Sequence, residues 1–264
     1  VGALDRAVRV LEIAVERAPE AWLLWQLLGN FRSDEGEAEK AFEAYRRGLS
    51  CPEAWADPLH LNYAIALKNH QRFEEAREHL ARVEDEDLQL QKQITQAGLH
   101  NDMGRHEEAL SLAESLIEEA DEEELEPEFL AQLHVECGRA FVHGHGDREA
   151  ARRCLIDALE ACWGHEQAYL LSREILDRRA EKSVLWNLMV TGEWPGEADE
   201  RGGPLGFYLA AYVNAPDQGE ALKYLRRLCP EELGPSLRVD EAEELEDFED
   251  EPLGVYWTSG FSLF

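Results

Sequence analysis

Apolar and small residues recur along the first two thirds of the chain with the spacing of amphipathic helices. Five segments each end in an alanine, and a mostly large side chain follows four residues later on the same helical face. These alanines are Ala7, Ala41, Ala76, Ala109 and Ala151. The first three steps between them are 34, 35 and 33 residues, and the last is longer because the acidic stretch 118–128 is inserted. A period near 34 predicts stacked helical hairpins.

One copy of the repeat carries a more detailed pattern. It contains Trp25-x-x-Leu28-Gly29, then Gly36, Ala41, Tyr45 and Pro52. This copy resembles the tetratricopeptide repeat (TPR) family, although Arg32 stands where the family has a tyrosine, and the resemblance extends over about residues 3–162. It implies a helical solenoid of a half repeat plus four hairpins, and a further helix expected before residue 1. Functionally it implies binding and little more, because TPR arrays bind many different partners.

The pattern changes after about residue 162. A helix at 166–180 is expected to close the array, and apolar runs at 184–191 and 206–213 predict strands separated by a long polar loop. A helix follows Asp217, which is placed to cap it, and two more strands are predicted at 237–245 and 254–264. Moving the first strand of a ferredoxin-like βαββαβ module to its end gives this order. The alternative is an open sheet packed on the last helix of the array.

The expected fold is therefore mostly α: a TPR-type helical-hairpin solenoid followed by a small α+β domain, as a circularly permuted ferredoxin-like module. The predicted domains are the solenoid at 1–162, a closing or linking helix at 163–182, and the α+β module at 183–264.

The net charge of −30 limits the classes of partner. Nucleic acid and anionic membrane surfaces are disfavoured, because both are bound through Lys and Arg. No apolar run is long enough to span a membrane. Five scattered cysteines without a CxxC pair indicate buried thiols in a reducing compartment. We expect a cytoplasmic protein whose partner is another protein or peptide of neutral or basic character.

The HGHGD stretch at 143–147 has the residue types of a metal site, but its position in the repeat favours a turn. It falls between the two helices of the last hairpin, where Gly144 and Gly146 permit a tight turn and Asp147 is placed to cap the next helix. His134 and Cys137 occupy packing positions of the same hairpin. We therefore expect no metal and no cofactor.

The TPR resemblance implies where a partner would bind, because the first helix of each repeat lines the concave side of such arrays. The lining positions are the second, fifth, ninth, twelfth and thirteenth, with the sixth added in one repeat. The repeats are expected to start at Trp22, Asp57, Leu90 and Ala131. The predicted partner-binding residues are Leu23, Gln26, Asn30, Asn62, Ile65, Lys68, Gln91, Ile94, Val135, Arg139 and His143.

A well-known TPR subgroup holds the acidic C-terminal carboxylate of chaperone tails with asparagines and cations. Asn30 and Asn62 match its asparagines, but Gln26, Gln91 and Thr95 stand in place of the cations. Without cations the desolvation of a dianionic peptide end has little to offset it. We expect a neutral or basic extended peptide, or a helix, in the groove. The alternative is that both asparagines are merely solvated.

Two features near the C-terminus each have two interpretations. The acidic run 240–252 is either a solvated loop or strand end, or a surface that attracts a basic partner. The aromatic residues Tyr256, Trp257, Phe261 and Phe264 either pack into the core or form an exposed edge for a partner strand.

Signatures of catalysis are missing from the sequence. GGPLG at 202–206 neither follows a predicted strand nor opens a helix, and WTSGFS at 257–262 lacks the glycine that precedes a nucleophilic serine. We expect a non-enzymatic protein–protein interaction adaptor that binds a peptide or helix in the concave groove. The alternative is an acidic inhibitor or immunity-type regulator that covers a basic partner surface. A third hypothesis is self-association through the first helix.

Overall fold

The computed structural model describes residues 4–119, 125–198, 204–230, 232–248 and 250–263. The helices are α1 (Leu4–Arg17), α2 (Trp22–Asp34), α3 (Ala38–Leu49), α4 (Ala56–Asn69), α5 (Phe73–Leu80), α6 (Gln89–Asp102), α7 (His106–Glu119), α8 (Pro127–Ala140), α9 (Arg148–Ala161), α10 (Glu166–Leu176) and α11 (Gln218–Leu228). The strands are β1 (Val184–Ala198), β2 (Pro204–Ala215), β3 (Arg238–Asp247), β4 (Gly254–Thr258) and β5 (Ser262–Leu263). A mostly helical chain that ends in a small α+β part is confirmed. Across these residues, no helix is both long and apolar enough to cross a membrane.

The chain forms two compact units, Val1–Ala109 and Leu110–Phe264, and the division falls inside α7. The domain boundaries predicted after residues 162 and 182 both fall within the second unit. The reason is a shared core: Leu159 of α9, Leu171 of α10 and Leu209 of β2 belong to one hydrophobic cluster. The last helical hairpin is therefore packed as one body with the sheet.

In the first unit, α2 pairs with α3 and α4 pairs with α5, as the repeat predicts. The small residues of the repeat lie where the paired helices touch, and Ala41 and Ala76 are fully buried. Gly29 of α2 permits the closest approach, because a Cβ atom there would lie 2.9 Å from ring atoms of Tyr45. The residues that define the repeat are thus packing residues of TPR-like hairpins.

The turn between the two helices of a hairpin requires a residue with a left-handed backbone. Gly36 has a φ of 77° and Gly104 a φ of 73°, which glycine adopts without steric cost. At the equivalent position between α4 and α5 the chain has Gln71, with a φ of 61°. A residue with a Cβ atom pays about 1 kcal/mol for this conformation. This turn is therefore less favourable than its two counterparts.

Aromatic rings join successive hairpins of the first unit. Tyr45 of α3 stacks on Tyr63 of α4 with ring centroids 5.1 Å apart, and Phe42 lies 5.6 Å from the same ring. On its other side Tyr63 contacts His79 of α5, at 4.2 Å. The three phenyl rings are buried, so the cluster contributes both apolar burial and ring contacts to the stability of this unit.

The HGHGD stretch in the second unit is a turn between α8 and α9, as predicted. A π-helical turn, Phe141–His145, extends α8, and Gly146 then adopts a φ of 67°. The Asp147 carboxylate accepts the N–H groups of Glu149 and Ala150 at 3.1 and 2.9 Å and so caps α9. In the described part of the chain, no group of three or more His, Cys, Asp or Glu side chains could hold a metal ion.

The sheet of the second unit has the strand order β3-β1-β2-β4, and β5 also pairs with β2. Every pairing between these strands is antiparallel. The finer prediction of a circularly permuted ferredoxin-like module is not confirmed by this sheet, and antiparallel pairing alone does not decide it, because the parallel strands of a split βαβ unit are not neighbours. The alternative agrees with the structure: the sheet is open, and β4 packs on α10. The order of helices and strands along the chain is the same in both arrangements and could not separate them.

β1 and β2 form a hairpin that is longer than predicted. Pairing continues to Trp194 opposite Leu205, although 192–205 was expected to be a polar loop. The ring of Trp194 packs edge-on against the buried ring of Phe207, with centroids 6.0 Å apart, which favours the longer strands. Residues 199–203, which include part of GGPLG, lie outside the described residues.

The two outer strands of the sheet expose different chemistry. In β3, the side chains from Asp240 to Leu245 are exposed, so the acidic run begins as a solvated edge strand. In and after β4, Tyr256 and Phe261 are half-buried, whereas Trp257 is 44% exposed. Tyr256 and Phe261 thus pack inward, an edge that receives a partner strand stays a prediction, and Phe264 lies outside the described residues.

Candidate functional site

The candidate site of the first unit lies on the first helices of its hairpins. α2 contacts α4, and α4 contacts α6, so these helices form one continuous layer. Equivalent positions of stacked repeats fall on the same face, as Asn30 and Ile65 do. A row of partly exposed residues follows this face, and we call it the amide stripe. It consists of Leu23, Gln26, Leu27 and Asn30 of α2 with Asn62 and Ile65 of α4.

The apolar side chains of the amide stripe are exposed on α2 and packed against the core on α4. Leu23 is 51% exposed and Leu27 is 36% exposed, and their spacing of four places them side by side on the helix. Ile65 is half-buried and packs against the core of the unit. Neighbouring exposed leucines on a surface rimmed by polar groups are typical of interaction sites.

The two asparagines of the amide stripe offer opposite hydrogen-bonding groups. The Tyr45 hydroxyl donates to Asn30 Oδ1 at 2.7 Å, and burial raises the pKa of Tyr45, so this proton is retained. Asn62 Nδ2 donates to the carbonyl oxygen of Pro58 at 2.8 Å. Among the described residues no other group bonds to these side-chain amides, so Asn30 keeps its N–H donors for a ligand and Asn62 keeps its carbonyl acceptor.

Gln26 adds a second acceptor to the amide stripe. Its Oε1 atom is buried, and no donor among the described residues forms a hydrogen bond with it. A buried acceptor without a donor costs about 1–3 kcal/mol. Because the atom is buried, the Gln26 side chain would have to turn outward before an N–H group of a bound ligand could remove that cost.

The other predicted residues of the first unit are placed differently. Lys68 Nζ lies 3.6 Å from Asp102 Oδ2 and so joins α4 to α6. Gln91 is half-buried, but Ile94 is only 6% exposed and belongs to the interior, so its assignment to the groove is wrong. Buried Gly98 matches Gly29 if the third repeat starts one residue later than predicted. An error of one residue turns a helix by about 100°.

The three predicted residues of the second unit make contacts within that unit. Val135 is 1% exposed and part of its core, so its assignment to the groove is wrong. Arg139 lies 3.1 Å from the carboxylate of Glu136, which is 2% exposed, and so compensates a buried charge. His143 Nε2 lies 3.0 Å from Glu174 Oε2. A single groove that uses residues of both units stays a prediction.

The packing assignment of His134 and Cys137 is confirmed. Cys137 is 3% exposed and His134 is half-buried. Burial raises the pKa of the Cys137 thiol and lowers the pKa of the His134 imidazole, so both are held in their neutral forms. Neither group is poised for ligation or nucleophilic chemistry.

Sequence analysis missed Leu27 of the amide stripe. The signal was present, since Leu23, Leu27 and Asn30 follow the i, i+4, i+7 spacing of one helical face. It was hidden because Leu27 and Leu28 are adjacent, and the TPR pattern assigns only Leu28, which is buried, to packing.

No protein-family model matches the sequence, and no curated protein is significantly similar to it. Among solved structures, the chain is similar to YrrB, a TPR protein with an unusual peptide-binding site, at 20% identity and a TM-score of 0.43, over 64% of this chain and 82% of YrrB. Two structures of MamA match at 20% identity with TM-scores of 0.45 and 0.44, over 61% of this chain and 89% and 83% of theirs. Similarity at this level is too weak to support a conclusion about function. The TPR-like architecture rests on the hairpins of this chain itself.

Proposed function

We propose that the first unit binds an extended peptide segment of another protein along the amide stripe, and that the chain is a non-enzymatic interaction adaptor. One observation carries this proposal. Beside the exposed side chains of Leu23 and Leu27 lie the free donors of Asn30, the free acceptor of Asn62 and the unsatisfied acceptor of Gln26.

An extended peptide matches this chemistry because its backbone alternates N–H and C=O groups. The Asn30 donors would pair with a peptide carbonyl, and the Asn62 acceptor with a peptide N–H group. Each half-exposed leucine that a partner side chain covers contributes on the order of 1 kcal/mol. Amide pairing fixes the register of the peptide, and leucine burial supplies most of the affinity.

The charge of the chain favours a neutral or basic peptide. The single lysine near the amide stripe, Lys68, is already paired with Asp102. An acidic peptide end would find no free cation among the described residues of the stripe, and it would be repelled by a chain with a net charge of −30. A peptide of this kind would reach the site in the cytoplasm, the compartment we propose.

A second candidate function is an acidic inhibitor that covers a basic surface. The observation that favours it is β3, an outer strand whose Glu241, Glu243 and Glu244 are all exposed. The two functions differ in salt dependence. Binding through exposed carboxylates weakens steeply as salt rises, whereas binding through leucines and amides does not.

The test captures partners from a lysate of the source cell with the immobilised chain, at low and high salt, and identifies them by mass spectrometry. The variant Leu23→Gln/Asn62→Ala alters the amide stripe. The matched control is Leu245→Gln, because Leu245 in β3 is 45% exposed against 51% for Leu23.

We expect a partner that stays bound at high salt. It should bind Leu245→Gln as well as the wild type, and it should not bind Leu23→Gln/Asn62→Ala. If the partner binds the double variant as well as the wild type but is released at high salt, the adaptor proposal is wrong and the acidic inhibitor takes its place. Self-association through α1, which exposes Val10 and Ile13 at 65% and 52%, stays a prediction that light scattering would test.

A further inference from the structure

The second unit contains a cavity of about 460 Å³ between α9, α10, α11 and β4. Its volume lies within the range of small-molecule sites in proteins. All residues that line it belong to the second unit, so the cavity is independent of the amide stripe and of the function proposed for it.

The wall of the cavity is mostly aliphatic and continuous with the core. Leu155 of α9, Leu228 of α11 and Val255 of β4 line it and belong to the core cluster of the unit. Ile175 and Leu176 of α10 complete the wall and are only half-buried. An apolar chain placed here would lie against side chains that pack into, or onto, the core of the unit.

The charge of the lining is opposite to the charge of the chain. About one residue in five of the sequence is Asp or Glu, yet none of the described lining residues is acidic. Two arginines line the cavity, Arg152 of α9 and Arg227 of α11. Neither forms an ion pair or hydrogen bond with any described residue, whereas nearby Arg148 is paired with Asp177 at 2.7 Å.

Tyr224 supplies a third donor to the cavity. It lines the cavity and is only 4% exposed, yet its hydroxyl forms no hydrogen bond with a described residue. Burial raises the pKa of Tyr224, so the hydroxyl carries its proton at neutral pH and can donate it. The hydroxyl oxygen itself is accessible, so it can donate to a ligand that lies in the cavity.

We propose that this cavity binds a small amphipathic carboxylate, with an aliphatic chain along the wall and a carboxylate held by Arg152 and Arg227. Guanidinium groups match the two oxygens of a carboxylate, and such charge-assisted hydrogen bonds are stronger than neutral ones. The Tyr224 hydroxyl donates to the same carboxylate. The aliphatic wall selects against short or polar acids, and the arginines select against uncharged chains of the same length.

Isothermal titration calorimetry of the full chain with decanoate tests this proposal. The expected result is saturable binding of one decanoate per chain, with 1-decanol and butanoate each bound at least tenfold more weakly. If 1-decanol binds as tightly as decanoate, the arginines do not hold the carboxylate. If butanoate binds as tightly as decanoate, the aliphatic wall does not hold the chain. Binding of several decanoates per chain would show adsorption and not a site.

The variant Arg152→Gln/Arg227→Gln tests the head-group contact directly. We expect it to lower the decanoate affinity at least tenfold, while Arg153→Gln, which removes a neighbouring exposed charge of α9 outside the cavity, leaves the affinity unchanged. Circular dichroism and the melting temperature confirm that the variants fold. An unchanged affinity in the double variant, or an equal loss in Arg153→Gln, would overturn the proposal. The proposal would also be overturned if decanoate does not bind and an apolar peptide binds through its C-terminal carboxylate.

Discussion

The two units contain the same kind of helical hairpin but present different surfaces. In the first unit, helices pack on helices, aromatic rings join successive hairpins, and a row of leucines and amides is left exposed. In the second, a sheet and α10 cover the last hairpin, and the gap between them is lined mostly by aliphatic side chains, with two arginines that pair with no described residue. The elements that pack on a repeat therefore decide whether the repeat offers an open surface or a partly open cavity.

Two glycines at the same position of the repeat show how this difference arises. A Cβ atom at Gly29 would meet the ring of Tyr45, the partner helix's own residue, at 2.9 Å. A Cβ atom at Gly138 would meet the Leu171 side chain of α10 at 2.5 Å. In the first unit the glycine makes room inside the hairpin, and in the second it makes room for the next helix.

Removal of a buried ring should have the largest effect. Phe42 is fully buried between Tyr63 and Arg72, whose guanidinium lies 4.9 Å from the ring centroid. We expect Phe42→Ala to lower the free energy of unfolding by about 3–5 kcal/mol, measured by urea denaturation. The adjacent Glu43→Ala should change it little, because Glu43 makes only exposed ion pairs. Equal losses in both variants would refute the aromatic cluster as the main contact of this unit.

A tyrosine in each unit allows a matched comparison. Tyr169 shares a hydrogen bond of 2.5 Å with Thr258, which is 3% exposed, whereas Tyr45 donates to half-buried Asn30. Tyr169→Phe leaves a hydroxyl buried without a partner, so we expect a loss of about 1–3 kcal/mol. Tyr45→Phe leaves an amide that water can reach, so we expect about 0.5–1.5 kcal/mol. Thermal unfolding measures both, and the reverse order would contradict the burial difference.

The histidine pair of the first unit should make its stability depend on pH. Burial, and then His60 at 2.8 Å between the Nδ1 atoms, lowers the pKa of His79 from 6.5 to about 4. The unfolded state therefore binds a proton more readily, so the stabilisation is complete above pH 6.5 and is lost as the pH falls towards 4.

The difference in unfolding free energy between wild type and His79→Gln isolates this effect from the many titrating carboxylates. We expect this difference to shrink between pH 6.5 and 4. A difference that is constant over the same range would show that His79 is not held neutral by the fold.

The smallest expected effect is a gain at the turn between α4 and α5. Gln71→Gly relieves a left-handed backbone and should raise the free energy of unfolding by about 0.5–1 kcal/mol. The control Gln96→Gly, in the middle of α6 and exposed, should lower it by about 1 kcal/mol. Chemical denaturation distinguishes the two signs, and a loss in both variants would contradict the turn assignment.

The sequence predicts the first unit well because its contacts are local and repeated. Small residues every 34 residues or so mark each hairpin, and Asp147 and Asp217 cap α9 and α11 as expected. The sheet was harder to predict, because pairing of β1 with β3 joins residues from 47 (Thr191 with Arg238) to 63 (Val184 with Asp247) positions apart and leaves no periodic signal. The same limit hides the cavity, which gathers side chains from four separate elements.

The candidate site was predicted in part, for a related reason. A repeat pattern assigns helical faces correctly where its register is marked, as on α2 by Trp25 and Gly29. On α6 the register was off by one residue, and buried Ile94 was assigned to the surface. The repeat pattern also cannot reveal that the Glu136 carboxylate is buried. For that reason it could not show that Arg139 forms an ion pair with Glu136.

The central claim, peptide binding on the amide stripe, is tested most directly by site-specific photo-cross-linking. A photoreactive amino acid replaces Leu27 on the stripe or Leu245 on β3, and the chain is irradiated in source-cell lysate at low and high salt. We predict cross-linked partner peptides from position 27 that persist at high salt, and none from position 245. Adducts that form only at position 245 and vanish with salt would contradict the claim.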